Sequence, residues 1–216
     1  MKTVLCYGDS LTWGFNAEGP SRHDFADRWP SRLASGLGAD ARVIAEGLNG
    51  RTTIYDDNSV TEDRNGARTL PVFLSSHQPL DLVAIMLGTN DLKRNTGGGY
   101  AFPAKQGMER LVRIVQTFPF WEDFARPNIL IVTPPVFRAA RDANFEEMFG
   151  HARAESRRLA SMYRELGDAL GCHVFDAAEA CETTPIDGIH LDAENTRRLG
   201  DALVPVVRRI LDATAD

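Results

Sequence analysis

The chain is poor in what the more specialised protein classes need. Only three of its 216 residues are cysteine, Cys6, Cys172 and Cys181. They are too few and too irregularly spaced for a disulfide scaffold or a metal knuckle, and they read as buried or idle thiols. Positive charge is in deficit: Lys and Arg total 24 against 30 Asp and Glu, a formal charge of −6. The arginines are scattered among acids and form no stripe, so a nucleic-acid partner is not expected. No stretch approaches the ~18 apolar residues of a membrane span, and no membrane association is expected. Strand-like residues begin at Thr3, which leaves no room for a charged leader and apolar signal core, so the chain reads as cytoplasmic. His23, His77, His151 and His173 show no ligand spacing, and no metal is implied. The glycine patterns GxGxxG and GxxxxGK[ST] are missing, which weighs against a nucleotide cofactor. Repeats of 20 to 50 residues, low-complexity tracts and boundary-quality linkers are also missing. Residues 1–216 therefore read as one domain.

What is present is an ordinary globular composition, 43% apolar and 25% charged. A first apolar run, Val4-Leu5-Cys6-Tyr7, is followed by strand-like segments at 42–45, 82–87, 128–133 and 173–175. Several are short and continuously apolar, as strands covered on both faces are. Helical patterns lie near 29–37, 102–117, 143–170 and 193–211. In the last, Leu199, Leu203, Val206, Val207 and Ile210 recur at intervals of three and four, with Asp192 placed as N-cap. The alternation predicts an α/β fold, a parallel sheet of about five strands wrapped by helices. Two segments, 47–70 and 93–103, are too long and polar to be plain connections; the second carries Gly97-Gly98-Gly99, readable as a hinge or a flexible turn. Ligands in such sheets gather beyond the carboxyl ends of the strands, so the rim of a site is expected there.

The residues after each strand suit acyl transfer. GDSLTWG (8–14) brings Ser10, GLNGRTT (47–53) brings Asn49 and Gly50, GTND (88–91) brings Asn90, and DGIH (187–190) brings Asp187 and His190. A serine hydroxyl is a weak nucleophile until a base takes its proton, and an imidazole base is held in one tautomer by a carboxylate. Asp187 and His190, three apart with Gly188 between, can fold back so that the carboxylate meets Nδ1 while Nε2 faces Ser10. The backbone N–H groups of Ser10 and Gly50 and the side-chain amide of Asn90 are candidate oxyanion donors. Taken singly, each has a plainer reading: a cap or turn serine, a structural histidine, a positive-φ glycine, a turn asparagine. Asp9 and Asp91 read as turn-bonding scaffold, and Arg51 as an ion-pair residue that pins its loop.

Together, in order and spacing, these four blocks resemble the SGNH (GDSL) hydrolases. The longer phrases GDSLTWG, EGL-x-x-RTT and QPLDLVAIMLGTND are most similar to the bacterial arylesterase/acyltransferase branch. The resemblance implies a flavodoxin-like three-layer α/β/α fold and a serine esterase without cofactor. It further implies Ser10 as nucleophile, Asp187 and His190 completing a triad, and Gly50 and Asn90 in an oxyanion hole. The serine is not in a GxSxG elbow, so an α/β-hydrolase is disfavoured. Trp13, Phe15, Phe102 and Phe137 are candidate walls for an apolar acyl or aryl pocket, with core packing the competing reading for all but Trp13. The expected substrate is a small ester, with transfer of the acyl group to alcohols a second outcome. A carbohydrate O-deacetylase of the same fold stays open, as does a non-catalytic module holding a small anion at the Gly8 turn. Because the branch often assembles, a homo-oligomer also stays open.

Overall fold

The computed structural model describes residues 1–19 and 21–213. Strand β1 (Lys2–Gly8) runs into a one-turn helix α1 (Ser10–Trp13) and a small antiparallel ribbon of β2 (Phe15–Asn16) and β3 (Ser21–Arg22). Helix and strand then alternate: α2 (Trp29–Leu37), β4 (Ala41–Gly47), α3 (Gly66–His77), β5 (Leu82–Met86), α4 (Ala101–Thr117) and β6 (Asn128–Thr133). After these come α5 (Ala143–Phe149), α6 (Arg153–Leu170), β7 (His173–Asp176) and α7 (Ala193–Asp212).

The five long strands pair in the order β4-β1-β5-β6-β7, all parallel, the doubly wound order of flavodoxin-like sheets. Successive side chains on a strand point to opposite faces, and both faces are apolar. Leu5, Tyr7, Val83, Ile85, Ile129 and Ile131 face a core closed by α3, α4 and α6. Val4, Cys6, Leu82, Ala84, Leu130 and Val132 face a second core closed by α2 and α7, with Trp29, Leu33, Leu203 and Val207 fully buried there. The result is the three-layer α/β/α sandwich. Among the described residues no helix is long and apolar enough to cross a membrane.

Two helices depart from the pattern legible in the sequence. The polar segment 47–70 hides the start of α3, whose N-terminus is capped by Asn65 accepting from the Arg68 amide. Burial of Leu70 and Leu74 holds this helix although it contains Pro71. The stretch 143–170 is two helices with a single turn at 150–152 between them. Asp142 caps the first by accepting from the amides of Asn144 and Phe145, which aims Phe145 and Phe149 along a line different from that of α6.

Candidate active site

The carboxyl ends of β1, β4 and β5 converge at one edge of the sheet, and each hands over a polar group within one to four residues. After β1, the Asp9 carboxylate accepts from the Leu11 amide at 2.9 Å and so starts α1. Ser10 becomes the first helical residue, with an N–H that has no acceptor within the helix. After β4, Gly50 turns with φ +80°; an added Cβ there would lie 2.6 Å from the Arg64 guanidinium. The Gly50 N–H donates to no acceptor among the described residues. After β5, the Asn90 side-chain amide donates to the Arg51 carbonyl at 3.1 Å and reaches the Asp9 carboxylate at 3.3 Å.

The fourth piece comes from the loop ahead of α7. Gly188 takes φ +78°, where a side chain would meet the Arg138 carbonyl at 2.4 Å. The loop is fastened by Gly188 N–H to Thr184 carbonyl at 3.0 Å and Thr184 N–H to His190 carbonyl at 2.7 Å. Folded this way, Asp187 Oδ2 lies 2.6 Å from His190 Nδ1, and His190 Nε2 lies 2.8 Å from Ser10 Oγ. All three side chains are buried, at 2%, 5% and 5% exposure for Asp187, His190 and Ser10. The other Asp187 oxygen accepts from the amides of Ile189 and His190. Burial pushes the Asp187 carboxyl up, yet the His190 hydrogen bond, its charge and the two amides together hold it below the ordinary carboxylate value. Phe15 packs on the imidazole at 4.3 Å between ring centroids and Phe145 meets it edge-on at 5.9 Å. A hydroxyl, an imidazole and an ionised carboxylate in one line can pass a proton from the first to the second.

Beneath this line lie two fully buried carboxylates. Burial raises Asp9 to about 7, against the pull of the Leu11 amide, and the neighbouring Asp91 adds to the rise. Burial likewise raises Asp91 to about 6, opposed by its bonds from the Thr53 hydroxyl and amide. Asp9 bonds its own turn, as its position suggests, whereas Asp91 ties the segment after β5 to Thr53 in the loop after β4. Arg51 pins its loop, but through the carbonyls of Gly8 and Glu46 and not through an ion pair. Its guanidinium stacks on Tyr7 at 4.3 Å. Asp192 caps α7, accepting from the Asn195 amide at 2.8 Å.

A cavity of about 180 Å³ opens above Ser10 and His190. Of the four aromatic residues expected to wall it, only Phe15 does. Trp13 ends α1 and turns to β3, where the Arg22 guanidinium covers its ring at 4.7 Å. Phe102 is 54% exposed, because α4 buries Ala101, Ala104 and Met108 on its inner side. Phe137 belongs to the core, edge-on behind Phe149 at 5.6 Å. The apolar wall is instead Phe145, Met148, Phe149 and Ile189, and the rim holds Asn49, Arg64 and Lys93. Phe145, Met148 and Phe149 lie at helical spacing within the stretch 143–170, for which the sequence predicts a helix and no pocket residue. Arg64 and Lys93 lie in the two long polar segments expected to form the rim. Among the described residues no cluster of His, Cys, Asp and Glu could hold a metal ion.

Comparison with known proteins identifies relatives by sequence and fold. Among curated protein sequences none matches the chain. Among solved structures, a carbohydrate acetylesterase family member from Sinorhizobium meliloti is 54% identical, with a TM-score of 0.96 over 98% of this chain and 100% of that one. The M. smegmatis aryl esterase is 38% identical, with a TM-score of 0.92 over 97% and 100%. A second carbohydrate acetylesterase from Sinorhizobium meliloti is 39% identical, also at 0.92 over 97% and 100%. The model of the GDSL-like Lipase/Acylhydrolase family matches residues 6–197, and the chain belongs to that family of esterases and acylhydrolases.

Proposed function

We propose that the protein is a serine esterase acting on small esters through an acyl-enzyme on Ser10. The observation that carries this reading is the unbroken line from Asp187 through His190 to Ser10, at 2.6 and 2.8 Å. Ser10 Oγ attacks the ester carbonyl while His190 Nε2 takes its proton, and the same proton then goes to the departing alcohol or phenol. Asp187 fixes the imidazole tautomer and stabilises the imidazolium. The oxyanion is met by the amides of Ser10 and Gly50 and by the Asn90 side chain, whose 3.3 Å reach to Asp9 is the weaker of its two present contacts. Water then completes the cycle, or an alcohol where one enters the apolar pocket.

The cavity, about 180 Å³, is smaller than the ~300–1,000 Å³ of drug-sized sites, which favours acetyl and other short acyl groups. A second reading, removal of acetyl groups from carbohydrates, is favoured by the 54% identity to a carbohydrate acetylesterase family member. Turnover of p-nitrophenyl acetate by the wild type, lost in both Ser10→Ala and His190→Ala, tests the first reading; full activity in either variant overturns it. An ester panel with aryl acetates and acetylated sugars, run in water and again with added alcohol, separates arylesterase, deacetylase and transferase.

A further inference from the structure

Two cations line the cavity beside Ser10, and they differ in one respect. Arg64 is matched by Asp57 at 2.9 Å and Glu62 at 2.8 Å. The Lys93 ammonium has no hydrogen-bond or ion-pair partner among the described residues; it lies 5.7 Å from the centroid of the Phe149 ring, in the field of Asp57, Asp9 and Asp91 but bonded to none of them. Nearby carboxylates are committed elsewhere: Asp57 to Arg64 and Ser59, Asp91 to Thr53, Asp9 to Leu11 and Asn90. A lysine presents three donors and no acceptor. Half-buried and unmatched in a pocket, it is completed by an anion.

We propose that Lys93 is a specificity residue that pairs with a carboxylate carried by the substrate a few bonds from the scissile ester. This rests on the esterase reading and adds the substrate's charge to it. Of the two cations lining the cavity, Lys93 alone has no bonded carboxylate among the described residues, and the space is small, which suits a single carboxylate. Burial lowers the lysine from its ordinary value and Asp57 partly restores it; a bound carboxylate acts in the same direction as Asp57. The carboxylate has two possible sources, the acyl chain or the alcohol portion, and the arms of the experiment separate them.

The acyl arm compares monoethyl succinate with its carboxamide counterpart, ethyl succinamate. The leaving-group arm compares 4-acetoxybenzoate with 4-acetoxybenzamide. The readout is the carboxylate-to-carboxamide ratio of kcat/KM in wild type and variants, which cancels intrinsic ester reactivity. In one arm the ratio is expected to fall on the order of tenfold in Lys93→Met, as for loss of one charged hydrogen bond. It is expected to persist in Lys93→Arg and to shrink with added salt in the wild type. Lys93→Gln replaces Lys93→Met should the latter not fold. A ratio that Lys93→Met leaves unchanged in both arms overturns the proposal. Calorimetric binding of the same four esters to Ser10→Ala, with and without Lys93→Met, gives the same comparison without turnover. A wild type that cleaves no ester thus refutes the esterase reading, whereas equal binding of carboxylate and carboxamide refutes the role of Lys93.

Discussion

Replacing Asp9 by Asn probes the electrostatic foundation of the site. The carboxyl is fully buried and raised to about 7 from an ordinary 3.8, a preference for the protonated form of about 4 kcal/mol. For a group raised in the folded state, the associated stability is complete below the unfolded value. It is then lost as pH rises through the folded value. Wild-type stability should therefore carry a loss approaching ~4 kcal/mol between about pH 4 and pH 7 that originates at Asp9. Asparagine removes this titration and adds a fault of its own. Leu11 bonds one carboxyl oxygen and Asn90 the other, so the amide NH2 of asparagine must face one of these donors, and a mismatched buried donor costs about 1–3 kcal/mol. The variant is expected to be the less stable protein at pH 4 and to gain steadily on the wild type up to pH 8. Urea unfolding at half-unit pH intervals measures the difference directly, and titrations elsewhere largely cancel in it. Asp91, raised to about 6, ionises ahead of Asp9, so its own titration largely cancels in the comparison. A stability difference that is flat between pH 4 and pH 8 would refute the reasoning.

Other expectations concern the site itself. Asp187→Asn keeps the shape but leaves Nδ1 of His190 facing a donor or a weaker acceptor, and kcat for p-nitrophenyl acetate should fall on the order of 10⁴-fold; a loss under tenfold would remove Asp187 from the relay. Asn90→Ala should lower kcat on the order of a hundredfold or more, with KM little changed, in steady-state kinetics. Phe137→Ala, in the core behind the pocket, should cost about 3–5 kcal/mol in denaturant unfolding. Phe15→Ala, at the pocket wall on the His190 ring, should move kcat/KM by more than it moves Tm.

The fold was legible because both sheet faces are written as continuous apolar runs, such as Leu82 to Met86, and because Leu199, Leu203 and Val207 keep a helical period. The candidate triad was legible because each member sits beside a turn glycine at a strand end or in the loop before the last helix, in an order few sequences share. The pocket wall was not. Aromatic residues carry no mark of direction, so Trp13 and Phe102 could not be told from Phe145 and Phe149 until α1, α4 and the break after Phe149 fixed where each ring points. Helix α3 was hidden for a related reason: its cap Asn65, Gly66 and Pro71 are the residues of a loop, and only burial of Leu70 and Leu74 makes it helical. The missing partner of Lys93 is a relation among residues 57, 62, 64 and 93, which spacing along the chain cannot express.

Ser10 and His190 stand 180 residues apart in the sequence and 2.8 Å apart in space. The histidine is held by a loop whose next residues are tied down by His23 on the Leu191 carbonyl and by the start of α7. If His190 is the base as proposed, turnover reports whether α7 is seated. In mild denaturant, loosening of α7 would silence the enzyme while the central strands still gave a native spectrum, so the activity midpoint should precede the spectroscopic one.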